Sequence, residues 1–147
     1  MKLSTKGRYG TRAMLDLALN RDGGPVSSKD IAERQDLSRG YLEQLLLRLA
    51  SRGLVRPVRG RGGGFVLSKE PSQITLAEIV EALEGPIDVV ECAEGPAVCD
   101  RASYCVTREV WAGVSDAITR HLSGITLAEM AKLQSEKEHA GAMTYVI

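Results

Sequence analysis

Histidine is scarce in this chain, two residues in 147, and neither His121 nor His139 lies near a cysteine in the sequence. No motif therefore sets a general base beside a thiol, which argues against an enzyme built on a cysteine nucleophile. No run of 18 apolar residues occurs, so nothing in the sequence is long enough to span a bilayer. The basic start, Met1 to Arg8, leads into a short apolar run that contains Asp16 and reaches no small-residue cleavage site. No export signal is expected, and the protein is expected in the cytoplasm. Cysteine totals three, an odd count that in such a chain speaks against a disulfide framework and for reduced thiols. Close Cys-x-x-Cys pairs are also missing, which makes a structural zinc site a poor fit.

Net charge is zero, yet its distribution is not even. Residues 1–70 hold 14 Lys and Arg against 7 Asp and Glu, and residues 71–147 hold 5 against 12. A basic half joined to an acidic half suits a nucleic-acid reader attached to a module that stays off the polyanion. At 15.9 kDa with 44% apolar residues, the chain can build one compact core with an appendage, or two small lobes. We divide it into a DNA-binding part, residues 1–70, a loop-and-helix part, residues 71–133, and a tail, residues 134–147.

Ala13, Met14, Leu17 and Ala18 recur at helical spacing after Thr5, and the run ends at Asp22-Gly23-Gly24-Pro25. Ser27 and Ser28 offer N-caps for a short second helix over Lys29–Gln35. Ser38 then caps a third, from Arg39 to Arg52, whose Leu42, Leu45, Leu46 and Leu49 form one apolar stripe. Gly40, Glu43, Gln44, Leu47, Arg48 and Ser51 fall on its other face. Gly53 closes it. Two short helices joined by a tight polar turn have the spacing of a helix-turn-helix, whose second member faces the major groove.

Leu54–Val58 and Phe65–Leu67 read as two brief strands around Arg59-Gly60-Arg61-Gly62-Gly63-Gly64. The pair makes a hairpin with a basic, glycine-rich tip. Arg59 and Arg61, two apart, can project to the same side, where a narrow minor groove has its deepest negative potential. A phosphate-binding loop is disfavoured, because no Gly-Lys-Ser/Thr ending is present and no helix begins after Gly64. The fold class is thus mostly α with a small β-hairpin, a winged helix-turn-helix followed by a long C-terminal dimerisation helix.

Beyond Pro71, Thr75-Leu76-Ala77-Glu78 has the form of a capping box and opens a helix through Leu83 that Gly85-Pro86 ends. Ile74–Glu78 and Ile125–Glu129 are the same pentapeptide, Ile-Thr-Leu-Ala-Glu, which we read as one helix-start chemistry used twice. From Val106 to Ser123 runs the longest helical candidate, with Val110, Val114, Ile118 and Leu122 spaced by four and Trp111 beside them. A two-fold homodimer through this stripe is expected, and it would set two reading heads on one palindromic duplex. The tail from Gln134 is polar with an apolar end at Tyr145-Val146-Ile147, and it is expected to be frayed or conditionally ordered.

Cys92, Cys99 and Cys105 lie within fourteen residues, separated by spacers of six and five. Longer spacers let three thiolates wrap a bulky centre such as an iron–sulfur cluster. A zinc-bound or metal-free loop that answers thiol oxidation or a partner protein is the alternative. Asp88, Glu91, Glu94, Asp100 and Glu109 surround the cysteines, and negative neighbours disfavour a thiolate.

Met1–Arg12, Ser38–Gln44 with its Tyr-Leu-Glu-Gln ending, the wing Val58–Phe65, the three-cysteine loop and Ile125–Glu129 together resemble the winged-helix regulators typified by IscR, with NsrR and CymR as relatives. The resemblance runs from residue 1 to about 133. It implies a dimeric transcription factor that binds a [2Fe–2S] cluster, senses cluster supply and represses cluster-assembly genes, with assembly proteins as cluster donors and no membrane partner. By that likeness Tyr41, Glu43 and Gln44 sit on the recognition helix, Glu43 tunes base choice, and Arg59 enters the minor groove. Arg39, Gly40, Arg48, Gly60 and Arg61 complete the DNA-facing set. Cys92, Cys99 and Cys105 are the cluster ligands, and the resemblance implies that occupancy orders their loop beside the recognition helix.

Two departures stand out. IscR proteins carry a fourth ligand, histidine, three residues after the third cysteine, where this chain has Arg108, which stays protonated and cannot ligate iron. The N-terminal carboxylate of NsrR-like proteins is replaced by Arg8. The fourth ligand is left open among Glu109, Asp100, Glu94, the Thr107 hydroxyl and an exogenous group. Gly40 and Arg61 stand where IscR often has serine and proline, so operator preference is expected to differ.

Overall fold

Most α-helix starts among the described residues are set by hydroxyl side chains. Ser4 accepts the Lys6 N–H at 3.1 Å and opens α1 (Thr5–Asn20). Ser27 accepts from Asp30 N–H and opens α2 (Ser28–Gln35), and Ser38 accepts from Tyr41 N–H and opens α3 (Arg39–Ser51). Each bond satisfies an amide that the first helical turn leaves without a partner. Between α2 and α3, Asp36 takes a left-handed conformation, φ 53°, and its N–H returns to the end of α2. Asp is among the few non-glycine residues that visit this region. The turn is therefore tight enough for a helix-turn-helix.

The computed structural model describes residues 2–144, and its order is three helices, a hairpin and three further helices, with short 3-10 turns between. β1 (Val55–Val58) pairs antiparallel with β2 (Gly64–Leu67), Val55 facing Leu67 and Val58 facing Gly64. Val26, just before α2, bridges to Phe65 through two backbone bonds of 3.0 and 2.8 Å, so the hairpin is stitched to the helical body. Gly64 permits this approach: a Cβ there would stand 2.2 Å from the Val26 carbonyl oxygen. This is the mostly helical winged fold expected from the sequence.

The principal core joins Met14 and Leu17 of α1, Ile31 of α2 and the four inward leucines of α3 to Val55 of the wing. It does not stop at residue 70. Ile74, Ile79 and Leu83 join it, the last two from α4 (Leu76–Glu84), and Leu127 joins it from α6 (Leu127–Thr144). A smaller apolar group, Ala77, Val80 and Ile87, receives Ile118 and Leu122 from α5 (Val106–Ser123).

Thr75 and Thr126 both form the reciprocal bonds of a capping box, with Glu78 and Glu129. The two identical pentapeptides also pair with each other. Leu76 N–H donates to the Ile125 carbonyl at 2.9 Å and Leu127 N–H to the Ile74 carbonyl at 2.8 Å, an antiparallel bridge centred on the two threonines. The expectation of a frayed tail is corrected as far as Thr144, because α6 runs through residues 134–144. Good helix formers such as Ala, Glu, Lys and Met prevail there over one glycine, and buried Leu127 fixes the helix start. Tyr145-Val146-Ile147, the expected apolar end, lies outside the described residues. Among those described, no helix is long and apolar enough to cross a membrane.

Candidate nucleic-acid interface and cysteine loop

The outward face of α3 carries most of the DNA-facing candidates. Arg39, Gly40, Gln44 and Arg48 are exposed. Glu43 is half-buried and engaged: its Oε1 accepts from the Ser28 hydroxyl at 2.7 Å and from Arg39 Nε at 2.9 Å. Arg39 Nε also reaches the Ser28 oxygen, at 3.1 Å. The Ser28 hydroxyl, and then the Arg39 guanidinium, hold the Glu43 carboxyl below the usual glutamate range. One acid and one base thus neutralise each other where a duplex would approach.

Tyr41 is placed differently from its α3 neighbours. It is half-buried, its ring meets that of Tyr9 edge-on at 6.3 Å, and its hydroxyl donates to Thr5 Oγ1 at 3.4 Å. Arg8 and Arg12 lie over Tyr9 at 5.7 and 5.4 Å. Tyr41 is therefore a brace between α3 and the start of α1, with two cations attached to the same aromatic pair. Sequence spacing alone puts it on the recognition helix and is silent on this brace, because its partners are some thirty residues away.

Arg59, Gly60 and Arg61 form the exposed tip of the wing. Gly60 and Gly62 have φ of 95° and 73°, values that suit glycine, and Gly63 N–H donates to the Gly60 carbonyl to close the turn. Among the described residues neither Arg59 nor Arg61 has a carboxylate partner. Both cations are thus available to a polyanion.

The cysteine segment runs through two 3-10 turns, Glu91–Ala93 and Pro96–Val98, and Cys105 is the N-cap residue of α5. All three thiols are free and half-buried. Among the described residues no three His, Cys, Asp or Glu side chains come together as a metal-holding group, so the cysteines are not gathered into one ligand set here. The loop is instead anchored along α5. Arg108 Nε donates to the Cys92 carbonyl at 2.7 Å, and Val89 N–H donates to the buried Ser115 hydroxyl at 3.0 Å.

The acidic surroundings were expected to disfavour a thiolate, and at Cys105 the balance goes the other way. The Thr107 hydroxyl, 3.2 Å from Sγ, and the backbone N–H groups of Arg108 and Thr107 at the start of α5 push the Cys105 thiol below its ordinary value. An N-terminal helical turn favours an anion on sulfur as on oxygen. The open candidates for a fourth ligand, Glu94, Asp100, Thr107 and Glu109, are all exposed. His121 is exposed in the last turn of α5, and His139 Nδ1 lies 2.7 Å from the Ser135 carbonyl in α6.

Half of the long helix is uncovered. Val110 and Trp111 of α5 are 55% and 46% exposed, and they continue the stripe that Ile118 and Leu122 bury at its far end. Val110, Gly113, Val114 and Ala117, with Ile118 and Leu122, line an open apolar groove along the helix.

Comparison with known proteins agrees with this architecture. The Rrf2 family, described as an iron-dependent transcriptional regulator, matches residues 3–133. The HTH-type transcriptional regulator IscR of Cronobacter sakazakii is 43% identical over 144 residues, covering 95% of this chain and 88% of that one. IscR of T. potens superposes with a TM-score of 0.76 at 44% identity, over 93% of this chain and 90% of that one. CymR, the global cysteine regulator of B. subtilis, does so with a TM-score of 0.74 at 42% identity, over 90% and 98% of the two chains.

Proposed function

The chain belongs to the Rrf2 family of iron-dependent transcriptional regulators, and from that membership we infer that it senses iron–sulfur cluster supply and represses cluster-assembly genes in the cytoplasm. It is a DNA-binding regulator and not an enzyme. Residues 1–70 supply the DNA-reading part, residues 71–133 the sensing and pairing part. Arg39, Gly40, Tyr41, Glu43, Gln44 and Arg48 serve the major groove, and Arg59, Gly60 and Arg61 the minor groove.

The observation that carries the sensing reading is the state of the cysteines: three free thiols within one loop, pinned to α5 at Val89 and Cys92, with Cys105 biased toward thiolate. This donor set fits an iron–sulfur centre, whose ligands are thiolates. Cys92, Cys99 and Cys105 would hold a [2Fe–2S] cluster, which supplies an occupancy that depends on iron, sulfide and oxidant. The loop residues between the anchors must then close, because the thiols stand apart in the structure described here. Arg108 contributes no lone pair, so the fourth ligand comes from Glu94, Asp100, Thr107, Glu109 or an exogenous group.

Val110, Trp111 and Val114 support a homodimer through α5, since an apolar stripe half covered within its own chain is completed by a symmetry-related copy. Two heads then meet a palindromic operator, and assembly proteins deliver the cluster. Anaerobic purification tests the reading. A brown protein with iron, sulfide and visible absorption, all lost in a Cys92→Ser/Cys99→Ser/Cys105→Ser variant, supports it, provided that reconstitution also changes operator affinity or selectivity. Colourless oxygen-free protein without iron overturns it. The Cys105 thiol, held below its ordinary value by the Thr107 hydroxyl, favours one second reading, a zinc-bound or metal-free loop that responds to thiol oxidation or a partner protein, and that outcome would select it.

A further inference from the structure

Leu47 is 61% exposed in the middle of α3, whereas Leu42, Leu45, Leu46 and Leu49 of the same helix are buried. A turn of about 100° per residue sets Gly40, Gln44, Leu47 and Ser51 on one line, opposite the buried leucines. All four are exposed. Beside the line stand Arg48 and the Arg39–Glu43 pair. A branched apolar group therefore occupies the centre of a face that is otherwise polar or bare. One exposed leucine is ordinary on a protein surface. Its position is what matters, because any groove that receives Gln44 also covers Leu47.

We propose that Leu47 reads a base: its isobutyl group contacts the 5-methyl group of a thymine in the major groove. Thymine is the base of unmodified DNA that presents a methyl group there, and an aliphatic side chain, which has no hydrogen bond to offer, can meet that group alone. Leu47 lies about 4.5 Å along the helix axis from Gln44, close to one base-pair step of roughly 3.4 Å. Gln44 meets a polar base edge and Leu47 the methyl one step on. This assignment rests on α3 being the helix that enters the groove. Leu47 falls on the outer face in the sequence but lies outside the DNA-facing set read there, because a leucine offers no charge or hydrogen bond to mark it as a reader.

The test begins with operators that the full chain, Leu47→Ala and Gln44→Ala each select from random-sequence duplex DNA. Each thymine of the wild-type operator is then replaced in turn by deoxyuridine, which removes the methyl group alone. At one symmetry-related pair of positions, uracil weakens wild-type binding by roughly fourfold per half-site, the effect of about one buried methyl group. Leu47→Ala binds both duplexes equally and selects operators without a thymine preference there. The proposal is overturned if uracil at every thymine leaves wild-type affinity unchanged, or if it weakens wild type and Leu47→Ala alike. If Gln44→Ala changes the selected sequence and Leu47→Ala does not, the role of Leu47 falls while α3 stands as the reading helix. If neither variant changes it, α3 is not that helix and both readings fall. Alanine at an exposed helical position preserves the fold, which equal urea midpoints verify.

Discussion

Arg34 of α2 grips Asp16 of α1 with two parallel bonds, Nε to Oδ2 at 2.9 Å and Nη2 to Oδ1 at 2.7 Å. The Asp16 carboxylate is 3% exposed and also accepts from Gln35 Nε2 and Asn20 Nδ2. Three of these four donors come from α2 and lock the first helix of the helix-turn-helix to α1, and the fourth, Asn20, lies at the end of α1 itself. Asp16→Ala removes the acceptor of these bonds, while Arg34, 41% exposed, turns its charge to water, and it should lower unfolding stability by about 2 kcal/mol. A urea titration measures it, and a loss below 1 kcal/mol would show that the pair contributes little.

Gly64→Ala should be damaging in a way that Gly23→Ala is not. The added methyl meets backbone at Val26 in the first case and nothing within 4 Å in the second. Gly64→Ala should cost at least about 2 kcal/mol or detach the wing from Val26. Hydrogen exchange at the Val26 and Phe65 amides distinguishes the two outcomes, and full protection of both would contradict the prediction.

Stability should fall in acid partly through Glu84. Burial pushes its carboxyl up, but the Ser4 hydroxyl and the Gly7 and Ser4 amides outweigh this and hold it below the ordinary glutamate value of 4.5. A folded-state value below the unfolded one gives stability that is fully present above about pH 5 and lost as pH falls through the folded value. Glu84→Gln should therefore be less stable than wild type at pH 7, with the difference shrinking below pH 4. A difference that stays constant across that window would contradict it.

Glu43→Ala and Arg59→Ala should fail differently on DNA. Losing Glu43 frees Arg39 and alters which operators are accepted, because a neutralised pair becomes an unpaired cation on the reading face. Losing Arg59 removes one phosphate-attracted charge, so affinity falls on all sequences and the salt slope drops by about 0.9. Equal loss on every operator for both variants would refute that division.

Helix starts were legible in the sequence because the information is local. Ser27, Ser38 and Thr75 each stand just before an apolar run and cap the helix they precede. The wing was legible for the same reason, a glycine-arginine tip between two brief apolar stretches. The brace of Tyr41 on Tyr9 and the mutual pairing of the two Ile-Thr-Leu-Ala-Glu segments were not, since each joins residues distant in the chain. The bias at Cys105 is not legible from the acidic neighbours, because it comes from the Thr107 hydroxyl and the first amides of the following helix. The cysteines can be named as a group from spacing alone, whereas the anchors that Arg108 and Ser115 give their loop join residues distant in the chain.

The Thr75–Thr126 bridge has a mechanical meaning. The chain from residue 85 to residue 124, thiols and apolar groove included, departs from the helical body only after α4, whose Ile79 and Leu83 lie in the principal core, and it rejoins that body where Leu127 N–H is bonded to the Ile74 carbonyl at 2.8 Å. Ile118 and Leu122 moor the last turns of that stretch to α4, and the paired pentapeptides moor its flanks side by side. A rearrangement at the thiols therefore begins in a segment fastened at both ends.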